Sequence, residues 1–210
     1  MSTPTQADLK TACEALSRAD KALAKAYKAI GVPTWRTRPQ TYETLATSVA
    51  YQLISTKAAA AIWARAKTAL GDITPETMLG AQEDTLRAAG LSRPKIAHLK
   101  SIASAIKTDA LNLSRVTQAP LKDARKELLA VKGIGPWTAA LFLLYARGEM
   151  DVLPTADVGL MEAYKRLSGA KVRLDAKAFT AAGENWRPYR GVAAHLLWGW
   201  LNAERAKAST

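Results

Sequence analysis

The sequence predicts an all-α fold of about ten helices joined by short loops. Three observations carry this. The nine prolines of the 210-residue chain fall at positions 4, 33, 39, 75, 94, 120, 136, 154 and 188, and prolines end helices or sit in their first turns. The stretches between them are rich in Ala, Leu, Lys and Arg, all strong helix formers. Within those stretches apolar residues recur at helical spacing, and no segment alternates at period two.

Each element follows from the same pattern. Residues 5–30 place Leu9, Cys13, Leu16, Leu23, Tyr27 and Ile30 on one face of a single helix, which Gly31-Val32-Pro33 stops. A helix over 41–56 takes Thr41 as its cap and carries Leu45, Val49 and Leu53. Residues 58–70 form an alanine-rich helix ended by Gly71. Ile96, Leu99, Ile102 and Ile106 define a helix over 95–107, and Leu121, Leu128 and Val131 one over 121–131. Trp137, Leu141, Leu144 and Tyr145 mark a helix over 136–147, and helices over 157–168 and 188–204 complete the set. Residues 1–40 are read as an N-terminal helix and linker packing on a core at 41–204, with 205–210 as a tail that frays.

Composition narrows the function. Hydrophobic residues at 49% and charged residues at 23% suit a packed globule rather than a disordered chain. Lys and Arg exceed Asp and Glu by 30 to 18, a net charge of +12, which points to nucleic acid or an anionic membrane as partner. Cys13 is the only cysteine, so a four-cysteine iron–sulfur cluster, a four-cysteine zinc site and an internal disulfide are excluded. His98 and His195 are too few for a histidine-rich metal site. No run approaches 18 apolar residues and the N-terminus lacks a secretory pattern, so the chain is read as cytoplasmic; a monomer with no membrane partner is expected.

The most informative segment is Leu128-Leu129-Ala130-Val131-Lys132-Gly133-Ile134-Gly135-Pro136-Trp137-Thr138-Ala139. A helix ends, two glycines flank one apolar residue, and a second helix begins. Gly133 and Gly135 permit close backbone approach, and Pro136 suits a first helical position. The new helix then offers unpaired N–H groups to a phosphate. Ile134 points inward and pins the hairpin, and Lys132 adds a cation. A bare Gly-x-Gly reads first as an ordinary helix–loop–helix corner, and the neighbouring residues and the net charge turn the reading toward the phosphate site. About 20 residues later Asp157 opens a helix after a proline-bearing loop, and by spacing alone it is an N-cap.

Together these segments resemble the helix-hairpin-helix DNA glycosylase superfamily over roughly residues 40–203, and within it the 3-methyladenine DNA glycosylase II (AlkA-type) branch. Tyr51-Gln52-Leu53-Ile54-Ser55 is similar to the family's Gln-x-x-Ser stretch, and Gly90-Leu91-Ser92-Arg93-Pro94-Lys95 to its Gly-Leu-Ser…Lys turn. Gly133 to Ala139 resembles the hairpin, and Trp186-Arg187-Pro188-Tyr189-Arg190 with His195-Leu196-Leu197-Trp198 the final helix.

The resemblance implies a two-lobed helical core without an N-terminal sheet domain, with DNA and the active site in the cleft between lobes. It implies Asp157 as the catalytic carboxylate and a base pocket from Trp137, Trp198, Tyr189 and Leu141. Leu141 stands where the bacterial pattern often has a second aromatic. DNA contacts are implied at Gln52, Leu53, Ser55, Lys132, Gly133, Ile134, Gly135 and Thr138. Leu53 matches the residue that fills the gap left by a flipped base, and reads equally as a buried helix residue. The hairpin carbonyls of Leu129, Val131 and Ile134 are the implied donors to a Na+ or K+ ion.

Trp137 occupies the position where strand-cleaving relatives carry a lysine. The implied activity is therefore monofunctional hydrolysis of alkylated bases of the 3-methyladenine type in damaged double-stranded DNA. The alternatives are a same-fold glycosylase for uracil, mismatched or oxidised bases, and a non-catalytic hairpin module that only binds DNA. Lys95, Lys100, Lys107 and Arg93 are expected to form a solvated basic face. Arg190 is expected in an ion pair or on a phosphate, and His195, Trp63 and Trp200 in the core.

Overall fold

The computed structural model describes residues 3–208 and contains no strand among them. In chain order its helices are α1 (Gln6–Ala19), α2 (Lys21–Ile30), α3 (Tyr42–Ala50), α4 (Thr56–Leu70), α5 (Pro75–Gly80), α6 (Glu83–Ala88) and α7 (Arg93–Lys107). They continue with α8 (Leu113–Gln118), α9 (Leu121–Leu129), α10 (Pro136–Tyr145), α11 (Val158–Ser168), α12 (Ala176–Gly183) and α13 (Arg190–Lys207). A 3-10 turn at Glu184–Trp186 precedes the last. No helix of the described residues is long and apolar enough to cross a membrane. The chain divides into two compact units. One comprises the chain up to Thr37 and from Gly148 onward, the other Arg38–Arg147.

In the first unit α2 packs on α1, α11 and α13. Leu9, Leu16, Leu23, Phe179, Trp186 and Leu197 are fully buried, and each such side chain contributes about 1.5–3 kcal/mol from lost water contact. The single helix expected over 5–30 is two helices. The apolar face does run on, but Asp20 adopts an extended backbone between them. Its carboxylate accepts from the N–H of Ala22 at 2.7 Å and caps α2. It also accepts from Trp186 Nε1 at 2.9 Å and from the Tyr164 hydroxyl at 3.0 Å. Inside a continuous helix Asp20 could not act as a cap, and those bonds outweigh the backbone bonds given up.

In the second unit α10 is buried almost all round, from Thr138 to Leu144, which marks a central helix. α3 and α9 flank it, and α7 packs on α3 and α5. The helix expected over 41–56 ends at Ala50, and residues 51–54 form a turn, so Leu53 lies outside any helix.

Of the expected solvated basic face, Arg93 and Lys107 are exposed, whereas Lys95 and Lys100 are half-buried. Lys95 Nζ donates to the carbonyl of Ala50 at the end of α3, at 2.7 Å. Lys100 Nζ donates to Ala81 after α5, also at 2.7 Å. Lys107 pairs with Glu76 at 2.7 Å and Arg93 with Glu83 at 3.3 Å. The last carbonyls of a helix lack intrahelical donors and carry its negative pole, so cations are drawn there. Arg147, 5% exposed, likewise donates to the carbonyls of Val116 and Ala119 at the end of α8. Part of the cationic excess therefore serves the fold.

Candidate active site

In the first unit, Asp157 sits at the N-cap of α11. The loop reaches it through Pro154, whose carbonyl accepts the Asp157 N–H at 3.0 Å. Asp157 Oδ1 accepts from the Leu160 N–H at 2.9 Å and from the indole N–H of Trp198 at 3.3 Å. One carboxylate oxygen is thus held by two donors on different helices. Gly159 leaves room for it, because a Cβ there would lie 3.1 Å from Oδ1. Val158, beside Asp157, is 56% exposed, an apolar side chain at a helix start in water.

Trp198 is held from behind by aromatic contacts. His195 meets it edge-on with centroids 6.0 Å apart, and Trp35 stacks on His195 at 4.3 Å. His195 is buried, as expected. Its Nδ1 lies 2.8 Å from the Gly191 carbonyl, which can only accept, so Nδ1 carries the proton. Nε2 then accepts from the Arg36 N–H at 3.4 Å. Burial lowers the imidazole pKa to about 4, so the ring is neutral. Tyr189 is half-buried at the N-cap of α13. Arg190 is an ion-pair residue, with Nε 2.8 Å from Asp151 and Nη1 3.0 Å from Glu184. Trp200 is only partly buried, whereas Trp63, in the second unit, is core.

In the second unit the hairpin between α9 and α10 is as compact as its glycines suggest. Gly133 has φ of +100°, and a Cβ on it would collide with His98 Cβ at 2.6 Å. Gly135 is the N-cap of α10 with an extended backbone, and nothing lies within 4 Å of a Cβ built there. Among the described residues no acceptor satisfies the N–H groups of Gly133 and Gly135. These groups and the helix's positive pole suit an anion. Lys132 is exposed, and Ile134 is buried with its side chain inward.

Gln52, His98 and residues 129–135 line an open concavity of about 500 Å³. His98 was not anticipated, and a lone histidine at ordinary helical spacing carries no signal of such a role. The implied cation can be tested against the carbonyls. Among the described residues no donor reaches those of Leu129 and Ile134, while that of Val131 accepts the Ile134 N–H at 3.0 Å and keeps a second lone pair. Neutral carbonyl oxygens of this kind suit a hard monovalent cation in their donor chemistry.

Leu53 is 102% exposed with φ of +60°. A fully solvated leucine in the left-handed region is doubly unfavourable. Ser55 caps α4, accepting from Ala58 N–H at 3.3 Å. Thr138 is corrected as a DNA contact. It is wholly buried, and its hydroxyl accepts from Gln52 Nε2 at 2.8 Å. It faces the core because α10 is buried from its first turn, and its role is to hold Gln52. Trp137 is half-buried in that first turn, and Leu141, one turn on, is buried.

Residues 46–188 match the family described as HhH-GPD superfamily base excision DNA repair protein. The chain belongs to the HhH-GPD superfamily. It is 31% identical over 172 residues to DNA-3-methyladenine glycosylase 1 of Schizosaccharomyces pombe, covering 77% of this chain and 72% of that one. It is 30% identical over 124 residues to YfjP of Bacillus subtilis, covering 59% of this chain but only 43% of that relative's length. The solved structure of the 3-methyladenine DNA glycosylase of Schizosaccharomyces pombe in complex with abasic DNA superposes with a TM-score of 0.81 at 28% identity. That match covers 90% of this chain and 95% of that one. Within the HhH-GPD superfamily these likenesses place the chain in the AlkA-type branch.

Proposed function

We propose that this HhH-GPD protein is a monofunctional DNA glycosylase that removes alkylated, positively charged bases from duplex DNA in base excision repair. The observation that carries the reading is Asp157, an N-cap carboxylate held by the Leu160 and Trp198 N–H groups. Relatives named as 3-methyladenine glycosylases support the substrate class.

The chemistry needs one carboxylate. Glycosidases on neutral sugars usually use two, one of them to protonate the leaving group. A base such as 3-methyladenine already bears positive charge. When its N-glycosidic bond breaks, the electron pair returns to the base nitrogen and the base leaves neutral. The sugar becomes cationic, Asp157 stabilises that charge, and water adds to the anomeric carbon with loss of a proton. The base must first leave the stack, and Leu53 would fill its place. Trp137, Trp198, Tyr189 and Leu141 would offer apolar and aromatic surface, and aromatic faces attract a cationic base.

The hairpin N–H groups and Lys132 would hold a phosphate. A monovalent cation on the carbonyls of Leu129, Val131 and Ile134 would add positive charge there. No metal is needed for base release in this reading, and the protein acts as a monomer where its DNA is. Trp137 stands where an imine-forming lysine would be, and an indole nitrogen cannot form an imine.

Duplexes carrying one defined lesion each test the proposal. Wild type should release N-methylated purines and leave an intact abasic strand that breaks only in hot alkali. Borohydride during turnover should trap no adduct, and Asp157→Asn should release almost no base. Normal single-turnover excision by Asp157→Asn overturns the catalytic assignment, and a trapped adduct overturns the monofunctional one.

A further inference from the structure

We infer that Trp198 is a positioning residue for Asp157, acting through its indole N–H, and that its aromatic face is not its main contribution to the rate. The inference deepens the reading of Asp157 as the catalytic carboxylate and rests on it. The geometry points that way in three steps.

The first is the bond itself. Trp198 Nε1 donates to Asp157 Oδ1 at 3.3 Å, and the same oxygen accepts the Leu160 N–H at 2.9 Å. The two donors belong to α11 and α13, so Oδ1 is tied to both helices.

The second step concerns what holds the indole. Trp198 is backed by His195, which meets it edge-on, and His195 is stacked on Trp35 at an interplanar angle of 19°. The imidazole is pinned at both nitrogens, by the Gly191 carbonyl and the Arg36 N–H. A buried side chain bonded at both ends cannot swing without breaking those bonds. The ring orientation that sends Nε1 toward Asp157 is therefore built in before substrate arrives.

The third step is space. Gly159 lies between the start of α11 and α13, and a Cβ there would be 3.1 Å from Asp157 Oδ1 and 3.5 Å from Leu201. A side chain at this position would press on the carboxylate, which would have to give by a few tenths of an ångström. Its φ lies outside the left-handed region, so room for the carboxylate, not backbone freedom, is what a glycine supplies here.

The experiment separates the donor from the ring. Replacing Trp198 by β-(3-benzothienyl)alanine puts sulfur where the N–H was and keeps the size and aromatic face. Trp198→Phe removes the donor and shrinks the ring. Single-turnover excision of a 7-methylguanine duplex is measured at saturating enzyme, alongside the Kd for the same duplex. If Trp198 positions Asp157, the benzothienyl protein loses about tenfold or more in rate, the range of a hydrogen bond to a charged group, with Kd unchanged. A wild-type rate with the benzothienyl residue, and a loss only in Trp198→Phe, overturns the inference and leaves a stacking role.

Asp157→Asn is run in parallel. If it excises normally, the catalytic reading itself has failed. If it is inactive while the benzothienyl protein is normal, only the positioning role has failed.

Discussion

Gly133 and Gly135 look equivalent in the sequence, yet the structure requires opposite behaviour of them. In Gly133→Ala the new methyl group meets three atoms of His98. They are Cβ at 2.6 Å, and Cα and Cγ each at 3.0 Å. Two of the three, Cα and Cβ, cannot swing away by rotation about a side-chain bond, so the hairpin or α7 must shift. Overpacking of this kind costs about 1–3 kcal/mol. The φ of +100° adds about 1–2 kcal/mol for an L residue. The sum is roughly 2–5 kcal/mol, a large part of a typical domain's stability, and a fall in Tm of about 5–15 °C for a chain this size. Gly135→Ala meets nothing within 4 Å and has φ of −86°, so its stability should stay within about 0.5 kcal/mol.

DNA affinity should nevertheless fall in Gly135→Ala, because a methyl group in the open space at the α10 start would crowd a phosphate held there. Loss of one charge-assisted bond is worth about tenfold or more. Urea unfolding and fluorescence anisotropy on an undamaged duplex measure the two effects separately. A Gly133→Ala protein with wild-type Tm would refute the steric reasoning. A Gly135→Ala protein that binds DNA normally would remove the hairpin from the phosphate contact.

Leu53→Gly should relieve the strain at φ of +60° and raise stability by up to about 1 kcal/mol, yet weaken lesion binding and excision. Unchanged affinity for a lesion duplex would count against Leu53 as the gap-filling residue. His195 has a pKa of about 4 when folded against 6.5 for the free group. The unfolded chain thus binds the extra proton first as pH falls. The stability His195 contributes is present above pH 6.5 and is lost as pH drops toward 4, by about 2 kcal/mol at pH 5. His195→Gln should flatten urea midpoints over that window, and an unchanged slope would contradict the assignment. DNA affinity should fall with salt at a log–log slope of roughly −4 to −5 if about four to six phosphates are neutralised, and a slope near zero would remove DNA as the partner.

Long helices were legible because a three-to-four-residue apolar period needs several turns to show. α5, α6, α8 and α12 run six to eight residues and were not. Caps rather than periodicity mark three of them, with Thr74 and Thr77 at α5, Asn112 at α8 and Asp175 at α12. Asp20 shows the same limit, since its apolar neighbours kept the period while its carboxylate broke the helix. In the site, the hairpin and Asp157 could be read because their chemistry is local in sequence. The bond from Trp198 to Asp157 could not, because 41 residues separate them. The sequence marks Trp198 by its aromatic ring, and nothing in a linear pattern says which way an indole N–H points. Thr138 misled because a threonine at a helix start resembles an exposed donor, and only the burial of α10 turns it inward.

The helix cap seen at Asp157 and the catalytic charge proposed for it reinforce each other. A catalytic carboxylate stabilises a developing cation best when it need not reorient as the charge appears. A cap residue already has its side chain folded back onto the helix N-terminus, bonded here to Leu160, and the entropy of fixing it is lost once, on folding. Trp198 completes the restraint from a second helix. What results is a carboxylate held by N–H donors from two helices. That arrangement suits a substrate that brings its own positive charge and asks only that the sugar cation be stabilised. It suits a neutral base poorly, because such a base needs a proton to leave. Alkylated cationic purines should therefore be excised much faster than uracil, and the ratio should shrink when the neutral base is made a better leaving group. A protein that released uracil as fast as 7-methylguanine would have to draw on an acid that Asp157, so held, does not provide.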